Sequence, residues 1–239
     1  FVVTGWWHKF SPPHWLRIRA LLLIGLPIGA TIFAEVGLFS FTTLLLGKLG
    51  ADIVSAHNIA MNLNGVLFMP AMALGMAATI RIGFRVGAAE IADARHTAAL
   101  AIATTIMVAL SGSLFIFFAR HTLVQLYTND MAVAGLAAQL LLFVSFFLVF
   151  DAIQSTAAGA LRGYKDTKVP MWIALFSYWV IGLPLECILG FGLIGEPMGV
   201  YGFWIGLALG VGTAAVLLSI RLWRTTRNFE LIERLAAQS

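Results

Sequence analysis

Apolar positions along this chain fall into six long, nearly unbroken runs, at residues 21–46, 54–80, 98–119, 133–161, 169–194 and 198–223. A membrane-spanning helix needs about 20 mostly apolar residues, and every run meets that length. A transmembrane barrel would instead show short segments of alternating hydrophobicity. These runs are continuous and rich in Leu, Ala and Phe, so the pattern predicts an all-α bundle of six spanning helices. Turn residues mark the connectors at 47–52, 127–130, 162–168 and 195–197, and residues 83–95 read as a polar loop. Pro27, Pro70 and Pro184 fall inside runs, where proline kinks or breaks a helix unless neighbours satisfy the freed carbonyls.

Composition agrees. Of 239 residues, 60% are hydrophobic and 11% charged, against about 45–50% and about 25% in ordinary soluble domains. Lipid is therefore the solvent and the main surrounding partner. Cys187 is the single cysteine, so the chain forms no internal disulfide. No charged segment followed by a short apolar core and a small-residue cleavage site opens the sequence, which begins at Phe1, and we expect further sequence upstream.

The net charge of +4 does not point to nucleic acid, because the basic residues sit between the apolar runs. With six spans, only Lys48 and Arg120 of the 15 basic residues fall on one face, leaving 13 on the face of the termini. Basic loops stay cytoplasmic, so both termini are expected there, in a multi-pass protein of the plasma (inner) membrane. Three segments follow: a cytoplasmic linker at 1–18, the helical lobe at 19–224 and a cytoplasmic tail at 225–239.

Of the 11 acidic residues, Glu35, Asp151 and Glu186 fall within spans. A carboxylate at a helix centre costs roughly 2.5–3.5 kcal/mol on insertion scales, which packing alone seldom requires. Either these groups bind a proton, a metal ion or a cationic substrate, or they are neutral acids hydrogen-bonded between helices. Asp151 lies ten residues, about 15 Å, before the end of its run, and Glu35 lies near the centre of the first. Both approach the midplane, where secondary transporters place their sites. Glu186 is expected nearer the outer face, as a further site residue or in a wet vestibule.

Other polar positions are less specific. Asn58 and Asn62 are four residues apart and share a helix face, lining a cavity or bonding between helices. His57 lines a cavity with them or is simply a helix-start histidine, and no further His or Cys ligands complete a metal cage around it. Phe143, Phe146, Phe147 and Phe150 precede Asp151; they pack the core or face lipid, or Phe147 and Phe150 line a cavity that attracts organic cations. Gly190, Gly192 and Gly195 match a dinucleotide fingerprint, but the motif needs a strand before it and a helix after it. Gly202, Gly206 and Gly210 form a stripe suited to close helix packing. No nucleophile–base pair or phosphate loop is present, so we expect no enzyme and no cofactor.

Four segments together resemble the C-terminal half of the multidrug and toxic compound extrusion (MATE) family, NorM type. They are Leu26-Pro27-Ile28-Gly29 with Phe33-Ala34-Glu35-Val36, Ala56-His57-Asn58-Ile59-Ala60-Met61-Asn62, residues 74–83, and Phe150-Asp151-Ala152-Ile153-Gln154 running on to 158–167. The resemblance implies one six-helix lobe of a twelve-helix transporter, with the N-terminal lobe of the same polypeptide as its partner. It implies antiport, in which a cationic organic compound or drug leaves as Na⁺ or H⁺ enters. The family's acids on the first and fourth helices of this lobe map onto Glu35 and Asp151, a cation or proton site that Na⁺ also fits. A tyrosine expected one turn before the fourth-helix acid is Phe147 here, which removes one oxygen ligand.

Two rival readings are a related flippase for lipid-linked saccharides and a non-transporting membrane scaffold. A flippase would favour several basic residues in its cavity, whereas the charges inside these runs are acidic.

Overall fold

The computed structural model describes residues 14–228, 230–232 and 235. Most of the expected N-terminal linker and the end of the tail lie outside these residues. The helices are α1 (Trp15–Leu46), α2 (Ala51–Gly87), α3 (Ile91–Gln125), α4 (Met131–Gly163), α5 (Lys168–Leu175), α6 (Leu183–Phe191) and α7 (Val200–Arg227). A π-helical segment, Phe176–Gly182, joins α5 to α6 without a break, so the described residues form six helical segments long and apolar enough to cross a membrane. No strand occurs among the described residues.

The helices outrun the apolar segments that predict them. Residues 83–95 are not a loop: α2 continues to Gly87 and α3 starts at Ile91. Arg85 closes the short turn by pairing with Glu90 and Asp93, and Ala89 takes a left-handed φ of 61°. The last helix continues through Arg227, beyond the expected limit of the lobe at 224. The fifth pass ends early, at Phe191, where Gly192 adopts the left-handed cap at φ 70°. Asp130 caps α4 by accepting from the backbone N–H groups of Ala132 and Val133 at 2.8 and 3.2 Å.

α4 is the central helix and packs against α2, α3 and α7. Small residues bring backbones together where apolar burial gives no drive in lipid. A Cβ on Gly159 would sit 2.4 Å from Gly75 O, and one on Gly163 would sit 2.8 Å from Ile82 Cβ. At the same crossing Thr79 Oγ1 donates to Gly159 O at 2.7 Å. The glycine stripe on α7 does the same against the fifth pass: Gly202 meets the Leu189–Gly190 backbone, Gly206 meets Glu186, and Gly210 meets Gly182. Gly190 leaves room for the Phe203 ring, a packing role in place of a nucleotide turn.

α1 is held differently. Its main contacts are with α5 and the π segment, and Leu21, Leu26, Phe33 and Leu44 remain exposed. Trp179 ties it down, donating Nε1–H to Ala34 O at 3.2 Å while its ring covers Gly37. At the basic end, buried Asp166 accepts from Arg221 Nε at 2.6 Å and joins the start of α5 to α7. Pro184 lies directly after the π segment, at the start of α6.

Candidate functional site

Glu35 and Asp151 come together through a third residue. Gln154 lies one turn after Asp151 on α4, and the 3.6-residue period puts both on one face. Its Nε2 amide donates to Glu35 Oε1 at 3.2 Å and to Asp151 Oδ1 at 3.4 Å. Its Oε1 accepts from Tyr178 Oη at 2.8 Å. One amide therefore joins α1, α4 and the π segment. Asp151 is buried, at 3% exposure, and Glu35 is half-buried at the edge.

A second amide faces Asp151 from α2. The Asn64 side chain is a hydrogen-bonding neighbour of that carboxylate, yet its own Oδ1 is buried without a partner. Two carboxylates and a phenol, linked by the Gln154 amide, thus converge from three elements, with the Asn64 amide beside Asp151 from a fourth. This is a set of hard oxygen atoms of the kind small, hard cations favour. The half-buried Arg162 side chain is an electrostatic neighbour of Glu35. The charges inside the spans are therefore not all acidic. Arg162 reads as a connector residue in sequence, but it stands in the last turn of α4.

The remaining candidates separate from this site. Asn58 and Asn62 share an exposed face of α2, and Asn62 Oδ1 accepts from Tyr127 Oη at 2.7 Å. Asn64 and His57 lie on the buried face instead, seven residues apart and so nearly two full turns. That spacing was the signal for Asn64. His57 is buried deeper than a helix-start histidine: its Nε2 lies 3.2 Å from Thr43 Oγ1 and its ring meets Trp204 edge-on at 5.6 Å.

Phe147 lines no cavity. It is fully buried between Phe39 and Trp204, while Phe150 is 41% exposed beside Gly212 of α7. Glu186 does not line a wet vestibule either. It is 0% exposed; its Oε2 accepts from Thr42 Oγ1 at 2.6 Å, and its Oε1 has no partner. The backbone of Gly206 closes over it. Missing from the sequence reading were Gln154 as the bridge and Tyr178, which brings a phenol to the site from the π segment where Phe147 lacks one. Among the described residues, no group of three or more His, Cys, Asp and Glu side chains could hold a metal ion.

Comparison with known proteins places this geometry. The MatE family model matches residues 27–188. A probable multidrug resistance protein NorM of Geobacillus kaustophilus is 41% identical over 219 residues, covering 90% of this chain and 48% of its own length. The multidrug resistance protein PmpM of Pseudomonas aeruginosa is 42% identical, with 92% and 46% covered. Among solved structures, the eukaryotic MATE transporter AtDTX14 superposes with a TM-score of 0.83 at 24% identity, over 95% of this chain and 51% of that one. The Vibrio cholerae transporter VcmN in its bent form gives 0.83 at 19% identity, over 97% and 52%. The chain spans about half the length of the curated relatives it matches, and its six passes superpose on one six-helix lobe. A family match across most of the chain, together with that lobe architecture, makes this protein a multi-pass member of the MatE family of membrane transporters.

Proposed function

We propose that this chain is the C-terminal lobe of a cation-coupled antiporter that exports organic cations and drugs, and that Glu35 and Asp151 bind the coupling H⁺ or Na⁺. The observation that carries this reading is the Gln154 amide shared between the two carboxylates. Two carboxylates in a low-dielectric interior hold either a proton or a cation between them. The orphaned Asn64 Oδ1 and the Tyr178 phenol supply further oxygens for a bare ion.

Exchange needs a ligand that binds one conformation better than the other, since only differential affinity shifts an equilibrium. Glu35 sits on the sparsely packed α1, and Asp151, Gln154 and Asn64 sit on the α2–α4 block. A movement of α1 therefore opens or closes the ion's coordination. The relatives named as multidrug resistance proteins support the drug substrate, and their double length supports an N-terminal lobe of the same polypeptide as partner. The charge split supports cytoplasmic termini.

The test is drug efflux from proteoliposomes holding this lobe joined to its N-terminal partner, driven by an imposed H⁺ or Na⁺ gradient. Efflux driven by one of these gradients and abolished in Glu35→Gln and Asp151→Asn is expected. Gradient-driven efflux that persists in both variants overturns the site. Arg162 beside Glu35 is the one feature favouring a flippase for anionic lipid-linked saccharides. Saccharide translocation without drug–ion exchange would establish that reading instead.

A further inference from the structure

α3 and α7 each pack against α4, and a groove of about 440 Å³ lies between them at the basic end of the bundle. Its rim carries Arg95, from the start of α3, and Arg227, the last residue of α7. Its floor is made of small or aliphatic side chains, including Ala99, Ala103 and Ile106. From Arg95 to Ile106 the α3 wall runs eleven residues, about 16 Å along the helix axis. Among the described residues no acidic side chain lines the groove, and neither guanidinium is held by a carboxylate. The Arg227 guanidinium lies 4.3 Å from the centre of the Trp223 ring, and tryptophan at this level marks the membrane interface.

The contrast with the neighbouring cleft is instructive. Between α2 and α3 a second depression carries Arg81, Arg85 and His96, but also Asp93, and Arg85 is already paired with Glu90 and Asp93. There Arg85 already has its carboxylate partners, and Asp93 offsets part of the remaining positive charge. Among the described residues, the α3–α7 groove has two cations that pair with no carboxylate, above an apolar trough. An occupant that matches it has an anionic head and a hydrocarbon tail.

We propose that the α3–α7 groove binds an anionic glycerophospholipid of the inner leaflet, its phosphate between Arg95 and Arg227 and one acyl chain along Ala99, Ala103 and Ile106. Basic pockets between transmembrane helices on the cytoplasmic side recognise such headgroups, and each cation near the surface adds to the attraction. The groove lies on the outer wall of the bundle, away from the Glu35–Asp151 site, so the bound lipid is not an exported substrate. It fills the gap between two helices that both pack against α4.

Native mass spectrometry of the purified transporter, this lobe joined to its N-terminal partner, titrated with phosphatidylglycerol or phosphatidylcholine, tests this. We expect preferential retention of phosphatidylglycerol by the unmodified chain. Arg95→Ala with Arg227→Ala should cut that preference by roughly 30-fold, and Arg95→Lys with Arg227→Lys should keep most of it. Ala103→Phe should also lower retention by blocking the acyl trough, while Arg81→Ala should not. Equal retention of the two lipids, or an equal loss with Arg81→Ala, shows only nonspecific lipid at a charged surface and overturns the proposal. Thermal unfolding in phosphatidylcholine separates a lost site from a lost fold: a double alanine variant that unfolds like the parent but keeps the lipid preference also overturns it.

Discussion

The Gln154 side-chain nitrogen lies 3.2 Å from Glu35 Oε1, joining α4 to α1 across the bundle. Gln154→Leu keeps much of the side-chain bulk and removes the amide. A hydrogen bond to a charged group contributes about 1.5–3 kcal/mol, so the first-order rate of drug efflux should fall by at least about tenfold. Initial rates at matched membrane abundance check this, and an unchanged rate would remove Gln154 from the site.

Glu35→Gln and Asp151→Asn keep volume and hydrogen-bonding capacity but delete charge. They also relieve the cost of a carboxylate within the membrane, about 2.5–3.5 kcal/mol for Asp at a helix centre. Both variants should therefore insert at normal or raised levels and lose drug resistance. If the acids only join helices, the amides would substitute and resistance would survive.

Glu186 should behave differently. Glu186→Gln preserves an oxygen to accept from Thr42, so transport and thermal stability should stay close to the parent. Thr42→Val removes the only donor, among the described residues, to a fully buried carboxyl group and should cost about 1–3 kcal/mol, read as a lower unfolding temperature in detergent. Loss of ion-dependent efflux in a stable Glu186→Gln would instead place this residue in the transport cycle.

Gly159→Ala forces a methyl group to within 2.4 Å of Gly75 O. Overpacking of this kind typically costs about 1–3 kcal/mol, and here the obstacle is backbone. Gly25→Ala is the control: its Cβ would meet nothing within 4 Å, and alanine is the better helix former by up to about 1 kcal/mol. Unfolding temperatures of the two variants should move in opposite directions.

Sidedness is tested by cysteine labelling in a background lacking Cys187. Asn129 and Lys168 are exposed at opposite ends of α4 and of the turn that follows it. Asn129→Cys should react only with external reagent and Lys168→Cys only with internal reagent. Asp130 and Asp166 suit this less, since one caps α4 and the other pairs with Arg221. The reverse pattern would invert the orientation.

The six passes and the acids at Glu35 and Asp151 were legible because both reflect a cost imposed by lipid: length of apolar run and ionisable groups at depth. What escaped was relational. Gln154 is uncharged and stands out only once Glu35 arrives from another helix. Asn58 and Asn62 share a face, as four-residue spacing requires, but that spacing does not say which face turns inward. Glu186 lies close to the end of an apolar run, while its burial reflects packing against Thr42 of α1 and Gly206 of α7, which spacing does not reveal. The charges in residues 83–95 mark a loop by composition, but the helices run through them to a short turn that the Arg85–Glu90 pair closes.

The crossing of Gly75 and Gly159 has a mechanical consequence. With backbone against backbone and the Thr79 hydroxyl bonded to Gly159 O, α2 and α4 have no side-chain cushion to compress, and they carry Asn64, Asp151 and Gln154 as a stiff wall. Glu35 stands on a compliant one, since α1 is anchored mainly through α5 and the π segment. A bound ion spanning a stiff and a compliant wall acts as a gauge: its presence sets the spacing of the walls, and its departure is felt as displacement of α1 alone.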